Sequence, residues 1–289
     1  MNEIEVRAWA KLNLSLDVLG KLDGGYHEMK MVMQTASLCD DVSIALTAGE
    51  TSVESNFGFL PQDGSNIAAK AAAAFFDAAG IRDTGARITL HKRIPVGAGL
   101  GGGSADAAAV LRGLNALCGT GMDAAALEAL GAALGSDVPF CVRGGSALAV
   151  GRGDRLLPAP EMPDCGIVIC KPRFSIRTPE LFSRIDSRRS RIHPDTDGLL
   201  RAMADGDTEG LARRMYNVFE DVLPRRCSEI AVIKSALLDA GALGAVMSGT
   251  GSAVFGLFPD LPAAERAAET LRARYRETFA AQPVRELTI

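Results

Sequence analysis

The chain is poor in the features that mark several protein classes. Its six cysteines (39, 118, 141, 165, 170 and 227) form no C-x-x-C pair, and most sit among apolar neighbours. That pattern argues against a disulfide framework and fits buried free thiols in a reducing compartment. Three widely scattered histidines are too few to suggest a structural zinc site. No run of about 18 apolar residues exists, so a membrane-spanning helix is not expected. The opening Met1-Asn2-Glu3-Ile4-Glu5 lacks the cationic and apolar regions of a secretion signal, and a cytoplasmic protein is expected. Basic charge is not in excess: the net charge is −4, which argues against general nucleic-acid binding. Neither internal repeats nor low-complexity tracts stand out. What remains is an ordinary soluble composition, 47% hydrophobic and 23% charged, over 289 residues, long enough for two domains.

Glycine, by contrast, is concentrated. Pro95-Val96-Gly97-Ala98-Gly99-Leu100-Gly101-Gly102-Gly103-Ser104-Ala105 puts five glycines into seven positions. Without a Cβ, such a loop lets backbone N–H groups approach a ligand closely. Ala107, Val110, Leu111, Leu114 and Cys118 then fall at helical spacing, with Gly119 as a stop, which predicts a helix from Ser104. A glycine loop feeding a helix N-terminus is an anion site. Gly97, Gly99 and Gly102 match G-x-G-x-x-G, but the preceding Ile88 to Arg93 alternates polar with apolar and Pro95 breaks it off. A dinucleotide fold wants a buried apolar strand there, so a nicotinamide-dependent oxidoreductase is rejected. The P-loop pattern also nearly fits, except that Gly103 stands where its lysine belongs. The loop therefore needs a positive charge from elsewhere.

Residues 2–20 alternate as one or two strands, with Lys11 and Asn13 on a polar face. Asp23-Gly24-Gly25-Tyr26-His27 is a tight turn. Met29, Met31 and Met33 suggest a strand with a core stripe, and strands continue through Val42 to Leu46 and near Val53. Asn66 to Ala79 reads as a helix, residues 86–92 as a strand, and Asp123 to Leu134 as a helix ending at Gly135-Ser136-Asp137-Val138-Pro139. A hairpin follows over 144–157. The prolines at 158, 160 and 163 mark a link, and Cys165 to Cys170 is a buried strand. Thr178 and Pro179 open a helix as N-cap and first residue, and the charged Ser183 to Asp197 reads as a mobile loop without an assigned role. Helices are expected near 196–205, 207–222, 226–240 and 262–279. Ser248-Gly249-Thr250-Gly251-Ser252 is a second glycine turn between apolar strands, and 284–289 is a last strand.

On these residues the chain resembles the GHMP kinases. The loop at Pro95 to Ala105 is similar to their P-x-x-x-G-L-G-S-S phosphate motif. Gly101-Gly102-Gly103 before Ser104 resembles one branch, the diphosphocytidyl-methylerythritol kinases of the non-mevalonate isoprenoid pathway. Asp23 to His27 resembles that branch's D-G-Y-H turn with one glycine inserted. Gly135 to Pro139 resembles its G-[AS]-D-V-P segment, and Ser175 to Phe182 its S-I-x-T-x-x-x-[FY] segment. The turn at Gly249-Thr250-Gly251 resembles the third GHMP motif.

The resemblance implies an α+β, two-domain fold: a ribosomal protein S5 domain 2-like domain over 1–160, holding ATP and the catalytic residues, and a ferredoxin-like domain over 161–289. It implies ATP and Mg²⁺ as cofactors and a small-molecule cytidyl diphosphate as substrate, phosphorylated on the 2-hydroxyl of its methylerythritol unit by a monomer or weak homodimer. Phosphoryl transfer needs neutralised phosphate charge, an in-line hydroxyl and an acceptor for its proton. Asp137 would accept the proton, and Lys11 would supply the charge that the loop lacks. Ser104 is a candidate Mg²⁺ ligand. Asn13, Tyr26, His27, Thr178 and Phe182 would bind substrate, Tyr26 stacking on the cytosine and Phe182 facing it. Gly249, Thr250 and Gly251 would support the phosphate loop. Asn66 would lie near the adenine, although Ser65 departs from the usual acid. Two other readings stay open: a GHMP kinase for another small alcohol, and a catalytically silent ligand sensor of the same fold.

Overall fold

The computed structural model describes residues 2–188 and 192–288. Two long strands dominate. β1 (Glu3–Lys21) and β2 (His27–Ala48) form an antiparallel hairpin, joined by a 3-10 turn at Asp23–Gly25. Register shifts at Trp9/Ala10, Asn13/Ser15 and Val18/Gly20 bend the pair, as bulges do. The shorter runs around 29–34 and 42–46 are thus parts of one strand.

β3 (Ser52–Ser55) pairs parallel with β4 (Thr84–His91), which joins β2. β5 (Ser146–Gly151) and β6 (Arg155–Pro158) extend the other half of β2 as a hairpin. α1 (Ile67–Ala78), α2 (Gly102–Cys118), α3 (Ala124–Leu134) and α4 (Val138–Arg143) pack with this sheet and one another. α2 is the central helix, buried from Ala105 to Leu114. Its small residues allow close approach to the strands: a Cβ on Gly113 would lie 2.5 Å from Ile44 Cδ1.

Beyond β6, β7 (Gly166–Lys171) starts a second sheet. α5 (Thr178–Asp186), α6 (Thr196–Ala204) and α7 (Thr208–Arg214) follow. Then come β8 (Tyr216–Asn217), α8 (Glu229–Asp239), β9 (Gly244–Met247), β10 (Val254–Phe258), α9 (Leu261–Arg272), β11 (Glu277–Ala281) and β12 (Pro283–Val284). The second sheet runs β11-β7-β10-β9, antiparallel throughout. β8 pairs with Ser15–Leu16 and β12 with Thr35–Ala36, so the C-terminal half is stitched onto the first sheet. This covers the polar side of β1. Lys11, Asn13, Ser15 and Asp17 are all buried, which is not how a solvated strand face behaves.

Several local expectations give way to tertiary pairing. The helix expected over 207–222 stops at Arg214, because Tyr216–Asn217 pairs with β1, and 218–222 is a 3-10 turn. The helix expected over 226–240 begins at Glu229, after a 3-10 turn at Arg225–Cys227. The helix expected to Phe279 ends at Arg272, and Glu277–Ala281 is instead an edge strand against β7. The strand expected over 284–289 is confined to Pro283–Val284. Of the loop expected over 183–197, α5 claims the part to Asp186 and α6 begins at Thr196, while residues 189–191 lie outside the described residues.

All six cysteines are free, and five are buried. Burial pushes the thiols of Cys165 and Cys170 up to about 12 and about 11, so they stay protonated and inert. Among the described residues no helix is long and apolar enough to cross a membrane.

Candidate active site

The glycine loop connects β4 to α2, and its residues divide into anchors and an open rim. Pro95, Ala98 and Leu100 are buried, while Val96 and Gly97 are exposed. Gly97, Gly99 and Gly101 hold positive φ of 64°, 77° and 70°, a region that L side chains rarely occupy. Gly102 and Gly103 belong to α2, which starts two residues before the expected Ser104. Gly101 occupies the N-cap in a left-handed conformation, with no side chain capping the first turn. The first N–H groups of a 17-residue helix are therefore left for a ligand, at the positive end of its dipole.

The loop is a wall between two cavities. One, of about 400 Å³, is bounded by Leu60, Pro61, Ser65, Asn66 and the whole stretch from Ile94 to Ser104. Asn66 is its buried shoulder: it caps α1 by accepting from Ala68 N at 2.9 Å, and its Nδ2 donates to Pro61 O at 2.7 Å. The other cavity, of about 410 Å³, holds Lys11, Asn13, Asp137 and the second glycine turn. Gly97, Gly99 and Ser104 face both.

Lys11 Nζ lies 3.4 Å from Asp137 Oδ2 and donates to Asn13 Oδ1 at 2.7 Å. The lysine is only 5% exposed and the aspartate 32%. Asp137 occupies the N-cap position of α4 yet makes no capping bond. Its carboxylate turns instead to the cavity. The ordinary use of an aspartate in a Gly-Ser-Asp turn is thus not the one made of Asp137.

The second glycine turn presses on the first. Ser248 Oγ donates to Gly99 O at 2.9 Å, and Ala253 N to Ala98 O at 3.0 Å. A Cβ on Gly249 would stand 3.1 Å from Gly99 O and 3.2 Å from Lys11 Nζ. Thr250 Oγ1 is 2.9 Å from Thr178 Oγ1. Thr178 is the first residue of α5 and Arg177 its N-cap, one position from expectation. The threonine hydroxyl meets Thr250 rather than capping. Asn217, a residue that sequence reasoning missed, donates from Nδ2 to Met247 O and Gly249 O at 2.8 and 2.7 Å. Its buried amide braces the turn from behind.

A third cavity, about 760 Å³, continues from the second through Met29, Ser136, Arg152, Thr178 and Phe182. Tyr26 and His27 stand at its far end. His27 stacks on Phe182 with ring centroids 4.5 Å apart and hydrogen-bonds Asp186 Oδ1 through Nε2 at 2.8 Å. Tyr26 is exposed, with the Arg152 guanidinium 5.0 Å from its ring centroid. Phe182 and Tyr26 thus share the cavity, but the rings that pack on Phe182 are His27, stacked, and Phe219, edge-on at 5.0 Å.

Sequence reasoning also missed a buried cluster beneath the loop. Lys92 Nζ donates to Asp40 Oδ2, Asp106 Oδ2 and Gly102 O, while Asp40 Oδ1 accepts from the backbone of Arg93 and Ile94. Burial works against charge on Lys92, but its two carboxylate partners outweigh that and hold it above the usual lysine value. Burial pushes the Asp106 carboxyl up to about 7, against the pull of Lys92. In an unfolded chain Asp106 gives up its proton near 3.8. Its contribution to stability is therefore full below that pH and is lost as pH rises through about 7. Asp106→Asn should flatten this dependence. Urea midpoints should fall less between pH 5 and pH 8 for the variant than for the parent. Equal falls in both would remove Asp106 from the account.

Comparisons with known proteins give the family of the chain. The GHMP kinases N terminal domain model matches residues 66–145, and the GHMP kinases C terminal model matches 199–277. Fold and site together define a GHMP kinase. The 4-diphosphocytidyl-2-C-methyl-D-erythritol kinase of Acetivibrio thermocellus is 41% identical over 284 residues, 98% of this chain and 100% of that one. Its counterpart from Lachnoclostridium phytofermentans is 42% identical over 268 residues, 92% of each chain. The crystal structure of a 4-(cytidine 5'-diphospho)-2C-methyl-D-erythritol kinase superimposes with a TM-score of 0.81 at 35% identity, covering 97% of this chain and 99% of that one. The chain belongs to the family of 4-diphosphocytidyl-2-C-methyl-D-erythritol kinases, a branch of the GHMP kinases.

Proposed function

We infer that the protein transfers the γ-phosphoryl group of ATP to the 2-hydroxyl of 4-diphosphocytidyl-2-C-methyl-D-erythritol, the step its family performs in isoprenoid precursor synthesis. The observation that carries this reading is the Lys11–Asp137 contact at 3.4 Å, beside a glycine loop that opens on both the nucleotide and the acceptor side. Asp137 accepts the hydroxyl proton, the freed oxygen bonds to the γ-phosphorus, and the bond to the β-phosphate oxygen breaks to release ADP. Lys11 offsets the charge on the transferring group and pairs with the Asp137 carboxylate. Backbone N–H groups of Gly99 to Ser104 bind the phosphates, and Asn66 shapes the adenine side. The Ser104 hydroxyl, open to both cavities, would hold Mg²⁺ together with phosphate oxygens, as that hard ion prefers. When bound, Mg²⁺ neutralises phosphate charge. Gly249, Thr250 and Gly251 fix the loop. Asn13 and Thr178 line the acceptor cavity, and Tyr26, His27 and Phe182 take the cytosine.

Residues 1–160 would carry the nucleotide and the catalytic pair, and 161–289 the remaining substrate contacts. The buried free thiols suit a cytoplasmic enzyme, and nothing in the mechanism needs more than a monomer or weak homodimer. An ADP-release assay with the cytidyl diphosphate, homoserine, mevalonate and galactose tests the reading. Activity confined to the cytidyl compound is expected. Preference for another alcohol would favour a different GHMP kinase, and no turnover with any would favour a ligand sensor. Within the same assay, Tyr26→Ala should raise KM for the cytidyl substrate about tenfold, the order of one lost base–aromatic stack, and leave KM for ATP unchanged. Equal shifts in both would contradict the pocket assignment.

A further inference from the structure

Among the described residues, Arg152 is the one charged side chain that lines both the acceptor cavity and the aromatic cavity. The acceptor cavity has Lys11 and Asp137 at its inner end. The aromatic cavity has Lys21 and Asp186 at its outer end, already paired at 3.0 Å. Arg152 stands at the junction, with Ser136, Thr178 and Met29. It is carried by the turn between β5 and β6, and it sits between Gly151 and Gly153, both at positive φ. That turn is held against the first sheet, since a Cβ on Gly153 would lie 2.7 Å from Met31 Cε. The guanidinium makes two bonds to Asp154 Oδ2, at 2.8 and 3.2 Å. Its Cζ lies over the Tyr26 ring, 5.0 Å from the centroid. A fork of five N–H donors has capacity beyond these contacts.

We propose that Arg152 is a specificity-determining residue that binds the diphosphate bridge of the substrate. The proposal rests on the functional reading above. A molecule with its reacting hydroxyl at Asp137 and its base between Tyr26, His27 and Phe182 must lead its linker through the junction. That linker carries two phosphates, and a guanidinium matches phosphate oxygens in geometry as well as in charge. Asp154 and the Tyr26 ring together hold the guanidinium at the junction. The same arginine thus ties recognition of the bridge to placement of the base-stacking ring.

The test compares CDP with cytidine as calorimetric ligands, the nucleotide cleft being filled with a non-hydrolysable ATP analogue. The unaltered protein should bind CDP at least tenfold more tightly than cytidine. In Arg152→Gln that advantage should shrink to about twofold or less, with cytidine affinity little changed. Arg152→Lys should keep part of it, as a point charge without the fork. In turnover, Arg152→Gln should raise KM for the cytidyl substrate about tenfold and leave both KM for ATP and the unfolding midpoint as they were. An unchanged CDP-to-cytidine ratio in Arg152→Gln would overturn the proposal while leaving the kinase reading intact. So would an equal loss for both ligands, because that would assign Arg152 to Tyr26 alone. Failure of the unaltered protein to bind either ligand would sink the cytidyl reading, and this proposal with it.

Discussion

Asp137→Ala should lose between about 10² and 10⁴ in turnover, the range for a positioned general base, while ATP binds as before. At 1.36 kcal/mol per factor of ten that is about 3 to 5 kcal/mol of barrier. The two halves of the expectation have separate causes. Turnover falls because, among the described residues, no other carboxylate lines the acceptor cavity, so the hydroxyl proton has no acceptor in place. ATP affinity holds because Asp137 is not among the residues around the nucleotide cavity. Lys11 keeps its 2.7 Å bond to Asn13 without the aspartate, so the ammonium stays where the phosphates need it. Asp137→Asn is the companion: it keeps the shape and removes only the basicity, and its turnover should fall as far. Single-turnover phosphoryl transfer and equilibrium ATP binding, measured on the same preparations, decide the matter. Full turnover in either variant would end the assignment. Parallel loss of ATP binding would recast Asp137 as a structural partner of Lys11.

The parts of this site that were legible in the sequence are those whose chemistry is local. A dense glycine loop running into a helix declares an anion site by composition alone. The absence of a loop lysine then directs attention to another cation, and Lys11 met that demand in an alternating strand. Its burial could not be read locally. Alternation shows two faces, but only β8 and the second glycine turn, more than 200 residues on, decide that the polar face is covered. A shorter separation, 30 and 32 residues, hid Asn217, whose work is to hold backbone carbonyls of the second glycine turn. Lys92 was hidden likewise, because its partners Asp40 and Asp106 come from β2, 52 residues before it, and from the first turns of α2, 14 residues after it. Arg152 had a local signal, an arginine between two glycines, without any indication of which cavity it would face. The helix misread over 262–279 has the same physics: Thr278 and Phe279 are strand because β7 offers partners, and pairing overrides intrinsic propensity.

The second large effect concerns how the two glycine turns fit. Gly99 has φ +77°, and a Cβ built there would stand 2.1 Å from Ser248 O and 3.0 Å from Gly251 N. Both are backbone atoms, so no side chain can swing away. Ser248 O is in addition the acceptor for Gly251 N at 2.9 Å, which ties its position to the rest of the turn. A single methyl must therefore force the loops apart. That breaks the bonds between Ser248 Oγ and Gly99 O and between Ala253 N and Ala98 O. The left-handed backbone adds about 1–2 kcal/mol for any L side chain, and each lost hydrogen bond about 1 kcal/mol. Gly99→Ala should thus cost roughly 3 kcal/mol or more, a large share of the ~5–15 kcal/mol that holds a domain folded, and ATP affinity should fall with it. Gly103→Ala is the control for stability. Gly103 is helical, its Cβ would meet only Ile67 Cγ2 at 3.6 Å, and alanine suits a helix better than glycine by up to about 1 kcal/mol. Urea denaturation of the two variants should show opposite shifts. If Gly99→Ala unfolds at the same urea concentration as the parent, the two turns do not bear on each other, and the loop is a flexible strap rather than a fixed cradle.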